Sequence, residues 1–198
     1  MTKIIGLTGG IGSGKTTVAN YFKSFGIPIY IADDEARKIM KSADIIEAIK
    51  NSFGDAIFEN EILNRDKLAK IVFNNPKKLE KLNNIVHPAV KNHFEQWLMQ
   101  NQSAPYVIYE AAILFESGRY KDCDLIVTVV APMESRIERV IKRDNSTREL
   151  VLKRINAQWT DEERILKSDF IIENISIETT KLEVDRILKI LKIKQKEA

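Results

Sequence analysis

The chain has 198 residues, 44% hydrophobic and 30% charged, with a mean hydropathy of -0.23, a balance that excludes a disordered chain and suits one domain or a domain with a large insertion. Lys and Arg number 31 against 28 Asp and Glu, and a net charge of +3 is too even to point to nucleic acid. Cys123 stands alone, no Cys/His cluster has zinc spacing, no apolar run reaches the roughly 18 residues of a membrane span, and no signal-peptide stretch opens the chain. A cytoplasmic protein with neither nucleic-acid nor membrane partner is the expectation, with a monomer favoured.

Ile4, Ile5 and Leu7 form a short apolar run that reads as a buried strand over 3–8. Five of the eight glycines follow at once, between Gly6 and Gly14. Val18, Ala19, Phe22 and Phe25 then recur at helical spacing over 15–25, with Gly26 as the stop. Ile27 to Ile31 is a second strand, and the acids from Asp33 open a helix to about Met40. Strand, glycine loop, helix and strand predict an α/β fold on a parallel sheet.

Residues 42–102 show helical patterns and no convincing strand, and the spacing predicts an all-helical insertion broken by turns near Gly54, Asn74-Asn75-Pro76 and His87-Pro88. The sheet resumes at 106–110 and 124–130, Pro132 opens a helix to about Lys142, and a last strand falls at 169–173. Val184, Ile187, Leu188 and Leu191 mark a closing amphipathic helix, and the lysines after Lys189 read as its solvated end. The expected division is a nucleotide-binding core of 1–34, 103–132 and 165–198, an insertion of 35–102 and a basic helical lid of 133–164.

Gly9 to Thr16 (Gly-Gly-Ile-Gly-Ser-Gly-Lys-Thr) fits the phosphate-loop pattern G-x-x-x-x-G-K-[ST] at every fixed position. Polyphosphate needs main-chain N–H groups unobstructed by side chains, and a helix N-terminus aimed at the anion. The span Gly10, Ile11, Gly12, Ser13, Gly14, Lys15, Thr16 and Thr17 therefore reads as a nucleotide phosphate site, with Lys15 on the β- and γ-phosphates and the Thr16 hydroxyl on Mg²⁺. The guanine string Asn-Lys-x-Asp, the switch string Asp-x-x-Gly and the transporter string Leu-Ser-Gly-Gly-Gln are all absent. A small-molecule kinase remains, and it needs a base and a cationic lid.

Asp33 follows the second strand at the carboxyl edge of a parallel sheet, where it would accept a proton from an attacking hydroxyl. The competing reading is that Asp33 and Asp34 only favour a helix N-terminus. Residues 136–154 carry seven positive charges against three negative, five of the seven arginine, which favours phosphate recognition over a solvated face. Arg139 and Arg143 share one helix face and are the lid candidates. Glu110 and Glu116 follow the third strand and would hold Mg²⁺ through water or anchor a loop; His87 reads as structural or as a substrate hydrogen-bonder.

Residues 5–17, with Ala32-Asp33, Val86-His87-Pro88, Ile113 to Glu116, Lys142-Arg143-Asp144, Arg154 with Gln158, and Ser168 to Asn174, together resemble the dephospho-coenzyme A kinase family over essentially the whole chain. Ile31, Ala112 and Ser176 depart from that family's pattern, where it carries Asp, Pro and Gly. The resemblance implies a P-loop kinase fold with a parallel five-stranded sheet, ATP and Mg²⁺ as cofactors, and dephospho-CoA as the substrate phosphorylated on its ribose 3′-hydroxyl. It implies Asp33, Lys15 and Arg143 as catalytic residues, Arg139 and Asn174 on the nucleotide, and Thr8, Asp33, His87 and Glu116 on the substrate. Another small-molecule kinase, or a regulatory nucleotide-binding protein without phosphoryl transfer, remains the alternative.

Overall fold

The computed structural model describes the main chain of residues 1–73 and 75–196, with side chains through Lys192 except Phe73. It divides into two units, Met1–Ile31 with Asn101–Ala198, and Ala32–Gln100.

The first unit is built on five parallel strands: β1 (Lys3–Thr8), β2 (Ile29–Ile31), β5 (Tyr106–Glu110), β6 (Leu125–Val130) and β7 (Phe170–Glu173). Their order is β2-β5-β1-β6-β7, so β1 lies at the centre, flanked on both sides. A strand covered on both faces must be apolar nearly throughout, and every residue of β5 is buried. Helices α1 (Lys15–Ser24) and α9 (Ile177–Lys196) bring Val18, Phe22, Val184, Ile187 and Leu191 against Leu7, Ile108, Val127 and Ile172, all nearly inaccessible. Helices α6 (Met133–Asp144), α7 (Arg148–Asn156) and α8 (Asp161–Ile165) fall between β6 and β7. Ile137, Val140, Val151 and Ile155 form a small core of their own there. Lys192 is exposed on α9; the side chains of Lys194 and Lys196, expected at a solvated end, lie outside the described residues.

The second unit holds α2 (Ala32–Ile39), α3 (Ala43–Phe53), α4 (Arg65–Phe73) and α5 (Pro76–Gln100) around Ile49, Ile57, Leu68 and Val72. Two features correct the sequence reading. A two-stranded hairpin, β3 (Phe58–Glu59) with β4 (Ile62–Leu63), interrupts the helices. Its turn residues Asn60 (φ 49°) and Glu61 (φ 65°) are both left-handed, as a tight hairpin requires. Strands of two residues are too short to show alternation, and only Asn60 hints at the turn. The turn expected at His87-Pro88 is also absent, because α5 runs straight through Pro88. Proline removes one hydrogen bond and crowds the preceding turn, a cost this 25-residue helix absorbs through the burial of Val86, Val90 and Phe94 around it.

Cys123 packs against β1, where a Cβ on Gly6 would stand 2.9 Å from its Sγ, and the thiol donates to Arg119 O at 3.6 Å. Burial pushes its pKa from 9.0 up to about 12. Folding therefore tightens this proton: the stabilisation is complete below about pH 9 and is lost as pH climbs towards 12. At pH 8.5 native Cys123 should react with iodoacetamide ~100-fold or more slowly than the urea-unfolded chain, since the thiolate is the nucleophile. Cys123→Ala should flatten the alkaline fall in stability; equal labelling of folded and unfolded chains would refute the burial effect.

Candidate active site

The loop from Gly9 to Gly14 joins β1 to α1, and its main-chain carbonyls all point to donors of the protein itself. Lys15 Nζ donates to Gly9 O at 2.9 Å, and Ser13 N–H to Gly10 O at 3.1 Å. Arg136 Nε donates to Ile11 O at 3.0 Å, and an Arg139 Nη reaches Gly12 O and Ser13 O, each at 3.4 Å. Asn174 Nδ2 donates to Ser13 O at 2.7 Å, and the N–H groups of Thr17 and Val18 take Gly14 O. With the acceptors satisfied in this way, the loop's remaining N–H groups make an anion cradle.

The fit to a polyphosphate has further support. Thr8 Oγ1 and Ser13 Oγ are buried without any hydrogen-bond partner, a cost that a ligand oxygen would relieve. Helix α1 has no side-chain cap and no acid in its first turn, leaving its positive end for a ligand. Gly14 is required twice over: its φ is 96°, and a Cβ there would collide with Asn174 Nδ2. Thr16 and Thr17 are exposed at the mouth of the loop, and Lys15 is buried along it.

Arg139 also donates to Asn174 O at 3.2 Å, and Thr180 Oγ1 holds Asn174 Oδ1 at 2.9 Å. With Gly14, Thr17 and residues 175–177, these two line an open cleft of about 240 Å³ beside the loop. Asn174 and Arg139 thus brace the loop as well as lining this cleft. Ile11 N–H is taken by Gln158 Oε1 at 2.8 Å, so its main chain is held by the protein.

Two other expected residues are in the same unit but occupied elsewhere. Arg143 is exposed and grips Asp144 with two donors, at 2.7 and 3.2 Å, and Arg154 shares that carboxylate at 2.8 Å. The hydrogen bond and charge of Arg143, then the hydrogen bond of Arg154, hold the Asp144 carboxyl below its ordinary range against a smaller opposing effect of burial. Glu116 Oε1 accepts from Arg164 at 3.1 Å and from Trp159 N–H at 3.0 Å, and so balances a fully buried guanidinium. Glu110 is buried at the carboxyl edge of β5, in register with Leu7 on one side and Ile31 on the other. Asp33 lies in the first turn of α2 and His87 in α5, both exposed and both in the second unit. Arg136 is the residue that sequence reasoning missed. Nothing in its spacing separates it from Arg139, and the partner that buries it is 25 positions away.

A parallel sheet whose central strand runs into such a loop and then a helix, with arginines of a following helix on the loop's carbonyls, defines a P-loop kinase. The family model for dephospho-CoA kinase matches residues 3–179. A dephospho-CoA kinase of Fusobacterium nucleatum is 44% identical over 174 residues, spanning 87% of this chain and 90% of that one. Among solved structures, a Thermus thermophilus protein superposes with a TM-score of 0.85 at 34% identity, over 94% of this chain and 96% of that one. The dephospho-CoA kinase from Campylobacter jejuni gives 0.68 at 25%, over 96% of each. The chain belongs to the dephospho-CoA kinase family, and is a phosphotransferase.

Replacing Asn174 with Ala removes its bonds to Ser13 O and Thr180. The expected loss is about 1–3 kcal/mol, the usual cost of orphaning buried polar partners, read as a lower urea midpoint at constant m. An unchanged midpoint would show that the brace is dispensable.

Proposed function

We propose that this protein transfers the γ-phosphoryl group of magnesium-bound ATP to the 3′-hydroxyl of the ribose of dephospho-CoA, giving coenzyme A and ADP, the last step of coenzyme A formation. The observation that carries the reading is the family match over residues 3–179, laid on a loop whose carbonyls are satisfied internally. Phosphoryl transfer leaves the protein mostly positioning and charge stabilisation to perform. When bound, Mg²⁺ would neutralise charge between the β- and γ-phosphate oxygens.

The loop N–H groups other than those of Ile11 and Ser13, which the protein itself takes, hold the polyphosphate with Lys15, and the exposed Thr16 hydroxyl is the protein's ligand to the metal. Asp33 receives or orients the proton of the attacking hydroxyl. Arg139, already on the loop, and Arg143 meet the charge of the transferring group. For Arg143 this means leaving Asp144, and an exposed ion pair of that kind holds by only about 0–1 kcal/mol, so a phosphate of higher charge displaces it. Arg154 then remains as the partner of Asp144. Asn174 faces the nucleotide, and Thr8, His87 and Glu116 belong to the acceptor side. Among the described residues no helix is long and apolar enough to cross a membrane, and the reading places the protein in the cytoplasm, as a monomer.

The test is turnover of ATP and Mg²⁺ with dephospho-CoA, and with AMP, shikimate and gluconate as parallel acceptors, following product by mass. Coenzyme A from dephospho-CoA alone is the expected result, abolished by EDTA; nucleotide binding with no product from any acceptor would overturn it. Asp33→Asn should lower kcat by about 100-fold or more, the usual scale of a lost general base, and wild-type turnover would remove Asp33 from the chemistry. Arg143→Ala should lower kcat far more than ATP affinity, whereas an unchanged kcat would reject its role.

A further inference from the structure

Arg136 sits in the first turn of α6 with 3% of its surface exposed. A buried guanidinium demands a full set of partners, and the structure supplies them from two directions. Nε donates to Ile11 O at 3.0 Å, and one Nη donates to Asp161 Oδ2 at 2.9 Å. The other Nη occupies the space that a side chain on Gly10 would need, and the Arg136 main-chain carbonyl does the same at Gly12. Asp161 Oδ1 meets Arg164 at 3.4 Å, and Arg164 in turn is held by Glu116. Two arginines and two carboxylates therefore alternate in a neutral row that begins on the phosphate loop. Three residues before Asp161, Gln158 holds Ile11 N–H. Both main-chain polar groups of Ile11 are thus bonded by side chains drawn from residues 136–158.

We infer that Arg136 is a positioning residue of the phosphate loop, held by Asp161, which fixes the loop's apex in its anion-binding shape before nucleotide arrives. The inference rests on the reading of this loop as the nucleotide site. Its Nε and one Nη are spent on Ile11 and Asp161 and its other Nη lies against Gly10, so Arg136 acts through the loop and not on the phosphates. Lysine cannot replace it, since one ammonium is a point donor and lacks the fork that spans a carbonyl and a carboxylate together.

The test is ADP affinity by calorimetry without acceptor, joined to hydrogen exchange of the amides of residues 10–13, for wild type, Arg136→Lys and Asp161→Asn. Arg136→Lys should raise the ADP Kd by about tenfold, as loss of a preorganised charged contact does, and speed exchange in the loop while α9 stays protected. Asp161→Asn leaves Arg136 in place and keeps the test valid if the lysine variant does not fold; it should weaken ADP by about threefold through the lost charge partner. ADP affinity equal to wild type in the folded variants, or faster exchange spread evenly through loop and α9, would reduce Arg136 to a packing residue. Because no acceptor is present, a wrong acceptor leaves this result standing. A wild-type protein that binds no ADP would overturn the nucleotide reading and this inference with it.

Discussion

The structure depends on one constraint, that six consecutive main-chain carbonyls at the end of the central strand find donors other than a ligand. A loop that left them free would repel an anion as strongly as its N–H groups attract one. The donors come from four places: Lys15 with the Thr17 and Val18 N–H groups in the first turn of α1, Arg136 and Arg139 on α6, Asn174 after β7, and the loop's own Ser13 N–H. The sheet order explains how they converge. With β1 central, β6 beside it and β7 beyond β6, the segments that follow those strands reach the carboxyl edge where the loop opens, the ligand crevice of a parallel α/β sheet.

The same arrangement divides the basic stretch into different jobs. Arg136, Arg139 and Arg143 lie on one face of one helix, yet the first is buried in a neutral ionic row, the second spans the loop and Asn174, and the third waits in solvent on Asp144. Burial falls steadily along the three, from 4% side-chain exposure at Arg136 to 64% at Arg143. The guanidinium of Arg136 is thus the most deeply paired, while that of Arg143, proposed to meet the transferring group, is held only by an exposed pair of small strength.

The phosphate loop was legible because its chemistry demands glycine at fixed positions, and the five strands because buried parallel strands are short apolar runs. The roles of individual arginines were not, since helical spacing puts them on one face without saying what covers it. Arg136 is buried only because Asp161 returns beside it after one further helix, at the start of α8, a long-range pairing that local pattern does not encode. Glu116 reads in sequence as an acid that would hold Mg²⁺ through water or anchor a loop, and in the fold it is the counter-charge of Arg164, a partner 48 positions away. Pro88 misled in the opposite sense: its local preference for a break gives way to the burial of the apolar residues on either side.

The state of Cys123 bears on the company this protein would keep. The proposed product carries a free thiol, and a catalyst that releases it works where mixed disulfides form by attack of one sulfur on another. Exchange needs a thiolate, and a sulfur held protonated until about pH 12 offers almost none at neutral pH. The only cysteine in the chain is thereby a poor partner for exchange with small thiols, the product that carries one included.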